Sequence, residues 1–124
     1  MAAYKILTVD DDDAIRCLVR ENLELAGYEV LEAVEGKEAL QKIEQERPHL
    51  VVLDVRMPVM DGWQVLRTIR SNPETEDLPV VMLTVLADDA NIAQGWGIGA
   101  DFYLTKPFEP QQLVEIVGRL LADV

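Results

Sequence analysis

The segment Leu50 to Asp54, LVVLD, sets four apolar residues in a row and ends on a carboxylate. A strand with one face in water alternates apolar and polar residues, so an unbroken apolar run of this length belongs to a strand covered on both faces. Helices on both sides of a parallel sheet meet that requirement, and the rest of the chain supplies them. KILTV (Lys5 to Val9) reads as a first strand. Ile15, Leu18, Val19, Leu23 and Ala26 then recur at helical spacing on one face before Gly27 ends the helix. YEVLEA holds a second strand, and Ala39, Leu40 and Ile43 give a second helix its inner face. After LVVLD come a third helix marked by Val65, Leu66 and Ile69, a fourth strand in PVVMLT, and a fourth helix around Asp89 to Trp96. DFYL forms a fifth strand, and Leu113, Ile116, Val117, Leu120 and Leu121 line the last helix. Five strand and helix pairs in this order predict an α/β fold: a doubly wound, five-stranded parallel sheet with right-handed crossovers, flanked by five helices.

Composition narrows what such a domain can do. At 124 residues the chain fits one domain with a real core. No apolar run approaches the roughly 18 residues of a membrane span, and the first residues lack the basic and apolar regions of an export signal. The single cysteine, Cys17, cannot form an internal disulfide. These features fit a cytoplasmic protein with no membrane partner. A net charge of -12 argues against direct nucleic-acid binding by this segment, because phosphate contact requires clustered Lys and Arg. A hard metal ion or a partner with a basic surface is easier to accommodate.

In a doubly wound sheet, function gathers at the carboxyl ends of the strands. Asp10 and Asp11 follow strand one, Asp54 ends strand three, Thr84 ends strand four and Lys106 follows strand five, so residues scattered along the sequence meet at one rim. This gives meaning to VDDDD (Val9 to Asp13), where four carboxylates in succession each raise the cost of ionising the next. If all four faced water the run would be an acidic turn; if two converge on a pocket, a cation is required. Asp13 is expected to cap the first helix.

VDDDD, VVLDVRMPVMDG (Val51 to Gly62), MLT (Met82 to Thr84) and YLTKPF (Tyr103 to Phe108) together resemble the response regulator receiver domain of two-component signalling, in its chemotaxis-regulator-like form. The resemblance runs from Lys5 to about Leu121 and implies a strand order of 2-1-3-4-5. It implies that Asp54 accepts a phosphoryl group from a histidine kinase or phosphotransfer protein, assisted by the domain itself, which is a signalling domain and not an enzyme acting on external substrates. Asp10, Asp11, Asp54 and the backbone carbonyl of Arg56 would hold Mg²⁺ or Mn²⁺. Lys106 would pair with Asp54 and then with the phosphoryl oxygen, aimed inward by a cis Lys106-Pro107 bond. Thr84 and Tyr103 would act as the switch, changing an output surface made of the fourth helix, the fifth strand and the last helix, to which Trp96 can contribute. A carboxylate accepting phosphoryl from an anionic donor needs charge neutralisation and in-line approach, which gives the crowded acids a chemical purpose.

Departures from the family pattern bear on rate. Val85 follows the switch hydroxyl where a small residue is usual, and Arg56 and Leu86 flank the path of hydrolytic water, so access and phosphoryl lifetime are expected to change. His49 has no spaced ligand cluster, Cys17 reads as a packing residue, Met57 and Met60 pack the loop after strand three, and the glycines from Gly95 to Gly99 read as a helix end and turn.

Two other classes compete. A small Mg²⁺-dependent phosphohydrolase also uses an acidic nucleophile, but Asp54-Val55-Arg56 lacks a second Asp and the chain has no obvious substrate cap. A pseudo-receiver binding module would leave Asp11, Asp54, Thr84 and Lys106 without purpose, and a flavodoxin-type cofactor module does so more fully. The expectation is one receiver domain over residues 1–124 with no output domain. It would act on a downstream protein or on an output domain from a longer chain, with a phosphorylation-dependent dimer as a further option.

Overall fold

The apolar runs pair as parallel strands and the periodic segments cover them in the computed structural model, which describes residues 3–85 and 99–122. The strands are β1 (Lys5–Val9), β2 (Glu29–Ala33), β3 (Leu50–Asp54), β4 (Val80–Thr84) and β5 (Phe102–Thr105). They form one sheet in the order β2-β1-β3-β4-β5. Four helices lie among the described residues: α1 (Asp13–Leu25), α2 (Gly36–Glu46), α3 (Gly62–Ser71) and α4 (Pro110–Ala122). The helix expected around Asp89 to Trp96 falls outside them, as do Leu86 and Trp96.

Burial follows the argument from LVVLD. All five residues of β3 and all five of β4 are buried, so both faces of the central strands are covered. One core, beneath α2 and α3, joins Leu7, Val9, Leu53, Val65, Leu66 and Ile69; the other, beneath α1 and α4, joins Ile6, Val19, Leu23, Val52, Leu113 and Val117. Each such side chain contributes roughly 1.5–3 kcal/mol when fully buried, which makes this double-sided packing the main force holding the rim in place.

Two helix starts show how local chemistry fixes the turns. Asp12, not Asp13, caps α1: its backbone is extended, and its side chain accepts hydrogen bonds from the N–H groups of Ala14 and Ile15. A cap must stand just outside the helix, and Asp13 is already its first residue, where its carboxylate pairs with Arg16 at 2.6 Å. At α3, Asp61 accepts from the Gln64 N–H, and Gln64 in turn accepts from the Asp61 N–H, both at 3.0 Å. At the other end of α1, Gly27 adopts φ +99°, a left-handed conformation suited to glycine. Ala26, assigned above to the inner face, is exposed because it forms the C-cap, beyond the reach of the core.

Candidate functional site

Strand register brings the rim residues together. Val9 of β1 stands beside Leu53 of β3, Asp54 beside Leu83, and Thr84 beside Thr105. The strand ends are therefore nearly level, so Asp10 just past β1, Asp54 and Thr84 at the ends of β3 and β4, and Lys106 just past β5 lie at one rim. Hydrogen bonds extend the register beyond the strands: the Val55 N–H donates to the Leu83 carbonyl at 2.9 Å, and the Lys106 N–H to the Thr84 carbonyl at 2.7 Å.

Asp10, Asp11 and Asp54 converge, each offering a carboxylate oxygen within 4.8 Å of the others. Asp10 and Asp54 are buried and Asp11 is exposed. Lys106 enters between the buried pair, its Nζ donating to Asp54 Oδ1 at 3.0 Å and to Asp10 Oδ2 at 3.1 Å. The other oxygen of Asp10 accepts from the Asp12 N–H at 2.9 Å. One ammonium thus faces three carboxylates, and a pocket with that excess of charge suits a hard divalent cation with oxygen ligands. Thr84 is buried beside this group at the end of β4. The peptide bond between Lys106 and Pro107 is cis.

The charge imbalance appears in Asp54. Burial raises its pKa, the Lys106 hydrogen bond pulls it down, and Asp10 and Asp11 push it up again, leaving it raised to about 6. For Lys106, burial works against the charge, but the Asp54 hydrogen bond and the field of Asp10 outweigh it and hold the pKa above the ordinary lysine value. Lys106 stays charged, while Asp54 is a carboxylate that ionises less readily than an ordinary aspartate.

Behind the rim, Tyr103 is half-buried. Its hydroxyl accepts from the Ala100 N–H at 3.3 Å, and its ring lies 6.1 Å from that of the buried Trp63. Arg56 and Val85 are exposed at the mouth, Val85 to 59%. Met57 and Met60 pack against the core below α2 and α3. His49 accepts from the Lys5 N–H through Nδ1 at 2.9 Å and meets Tyr4 edge-on, a structural role at the opposite end of β1.

Three participants were not singled out by sequence patterns. Gly62 packs so closely under Asp54 that a Cβ there would lie 2.4 Å from the Asp54 carbonyl oxygen. Its position in the pair Asp61-Gly62 signals only a turn. Trp63 supports Tyr103, and no spacing rule links the two. Arg16 holds the main chain of Asp10, a contact that residue types alone do not reveal.

Residues 6–118 match the family model described as response regulator receiver domain. The chain is 44% identical over 117 residues to the DNA-binding dual master transcriptional regulator RpaA of Synechocystis, covering 94% of this chain and 48% of that protein. The chain spans about half the length of the curated relatives it matches. Among solved structures, chemotaxis protein CheY4 of Vibrio cholerae is 37% identical with a TM-score of 0.88, over 96% of this chain and 99% of that one. The receiver domain of sensor histidine kinase PA1611 from Pseudomonas aeruginosa, with a magnesium ion coordinated in its active site cleft, is 29% identical with a TM-score of 0.87, over 98% and 99% of the two chains.

Proposed function

The chain belongs to the response regulator receiver domain family of two-component signalling, and from that premise we propose that Asp54 is its phosphoacceptor, with Mg²⁺ held by Asp10, Asp11, Asp54 and the carbonyl of Arg56. The observation that carries this reading is the convergence of three carboxylates, Asp10, Asp11 and Asp54, two of them bonded to the half-buried Lys106 ammonium. Asp54 is the nucleophile because β3 and the Gly62 contact fix its backbone while its oxygen faces the rim. Lys106 holds that oxygen in place before reaction and takes an oxygen of the transferred group after it. When bound, the divalent ion offsets the negative charge of donor and acceptor. The buried hydroxyl of Thr84 donates to the new phosphoryl group, and the exchange is passed to Tyr103 and the surface around β5 and α4.

The donor is a histidine kinase or phosphotransfer protein, and the signal leaves through a protein target or an attached output domain. The exposed bulk of Val85 narrows the mouth and, with Arg56, prolongs the phosphoryl state. A phosphohydrolase is disfavoured because Asp54-Val55-Arg56 lacks a second Asp two residues after the nucleophile.

Acetyl phosphate treatment followed by intact-mass measurement tests the reading. One phosphoryl adduct is expected with Mg²⁺, none after chelation, and none in Asp54→Asn. Since Val85 hinders small donors, transfer from a cognate kinase is the second arm. Failure of both donors, or an equally abundant hydroxylamine-sensitive adduct on Asp54→Asn, overturns it.

A further inference from the structure

Arg16, on the first turn of α1, makes three hydrogen bonds in three directions. Nη1 donates to the main-chain carbonyl of Asp10 at 2.9 Å, Nη2 to Asp13 Oδ1 at 2.6 Å, and Nε to Glu32 Oε1 at 3.0 Å. Its side chain is only 14% exposed. Glu32, which directs it, is fixed in turn: its second oxygen accepts from Arg20 Nη1 at 3.0 Å, and its carbonyl accepts from Lys42 Nζ.

A surface ion pair would be worth little, but this guanidinium reaches the peptide on which the acid pair is built. The carbonyl of Asp10 and the N–H of Asp11 belong to one rigid plane. The N–H of Asp10 is already tied to the Ala33 carbonyl at 3.2 Å, and its side chain to Asp12 and Lys106. The bond from Arg16 closes the remaining freedom of that peptide and thereby sets the direction in which Asp11 leaves the chain.

We propose that Arg16, oriented by Glu32, is a positioning residue for divalent-ion binding, acting through the Asp10–Asp11 peptide and not through its charge. This rests on the reading of Asp10, Asp11 and Asp54 as the Mg²⁺ site. Charge and position predict opposite signs here. By charge alone, a cation beside the acids opposes Mg²⁺, so deleting it tightens binding and replacing it with lysine changes nothing. By position, both changes weaken binding, because an ammonium is a compact donor that cannot reproduce a planar fork spanning three acceptors.

The test is calorimetric titration of the whole 124-residue chain with MgCl₂ at neutral pH, at low and at high salt. The Mg²⁺ dissociation constant is expected to rise on the order of tenfold in both Arg16→Lys and Arg16→Gln, the scale of losing a group that orients a metal ligand. The loss persists at high salt, where through-space charge effects are screened. Arg119→Gln, which removes an exposed cation from α4, leaves the constant unchanged. Circular dichroism establishes that each variant is folded, and Arg16→Lys keeps the test open if Arg16→Gln does not fold. Wild-type affinity in Arg16→Lys, or tighter binding in Arg16→Gln, overturns the proposal while leaving the metal site intact. Absence of Mg²⁺ binding by the wild-type chain overturns the site reading and this proposal together.

Discussion

The turn after β1 and the turn after β3 border the same rim, the first held mainly by hydrogen bonds and the second mainly by close packing. Between Asp10 and Asp13 every acid has a polar partner or faces solvent, with Asp12 capping α1 and Arg16 bridging Asp10, Asp13 and Glu32. Between Val55 and Gly62, Asp61 caps α3 but most contacts are of another kind: Met57 is buried, Met60 packs on the core, and the Gly62 N–H donates to the Val55 carbonyl at 2.8 Å with no room for a side chain. The exposed turn between them carries Val59 at φ +69°, a left-handed conformation that is costly for a β-branched residue. A turn crowded with like charge needs directional partners to stay in one arrangement. The turn after β3, whose one carboxylate, Asp61, caps α3, can rely on volume, and it tolerates a strained residue at its tip because the packing on either side over-determines the chain.

Changing volume at the second turn is expected to have the largest effect. Gly62→Ala pushes a methyl group into the main chain of Asp54 and Val55, with no flexible side chain to give way. Urea denaturation should show a loss of about 3 kcal/mol, at the upper end of overpacking costs, together with loss of Mg²⁺ binding. Near-wild-type stability would mean that this turn is not held by packing.

Changing charge at the meeting point of the two turns comes next. The folded-state pKa of Asp54, about 6, lies above its ordinary 3.8, so the folded protein binds this proton more tightly than the unfolded chain does. Stability from this group is therefore greatest below about pH 4, falls as pH rises from 4 to 6, and is flat above that. Asp54→Asn should be more stable than wild type at pH 7 by roughly 1–3 kcal/mol, with the gap closing towards pH 4. Thermal denaturation across that range measures it. Mg²⁺ should raise the wild-type melting temperature at pH 7 and raise it less at pH 4, where Asp54 is protonated and lost as an anionic ligand. A pH-independent gap would remove the electrostatic half of the comparison.

The smallest change sharpens the account of strain. Val59 is fully exposed, so Val59→Asn removes left-handed strain without removing packing. A gain of about 1 kcal/mol is expected in urea denaturation, with Mg²⁺ affinity unchanged. Destabilisation would show that the valine makes a contact that its exposure conceals.

How much of this was legible in the sequence follows the same division. The sheet could be read from LVVLD and the helical spacings because burial on two faces leaves a pattern in residue types, and β3 and β4 are buried at every position. The convergence of Asp10, Asp11, Asp54, Thr84 and Lys106 could be read because strand ends in a parallel sheet are level. Contacts made by the backbone left no such pattern. Gly62 matters for the side chain it lacks, Arg16 for a carbonyl that every residue type carries, and the cap on α1 differed by one position because Asp12 and Asp13 are chemically alike. Ala26 fitted the helical period yet is exposed, since a period continues past the end of the core it packs on.

The most direct test asks which carboxylate at the rim becomes phosphorylated. Borohydride reduces an aspartyl phosphate to homoserine, and peptide sequencing by tandem mass spectrometry then locates the residue. After phosphorylation in Mg²⁺, homoserine is predicted at position 54 alone, with aspartate unchanged at positions 10 and 11. Homoserine at either of those positions, or its absence from all three after kinase treatment, would contradict the assignment of Asp54 as phosphoacceptor and of its neighbours as metal ligands.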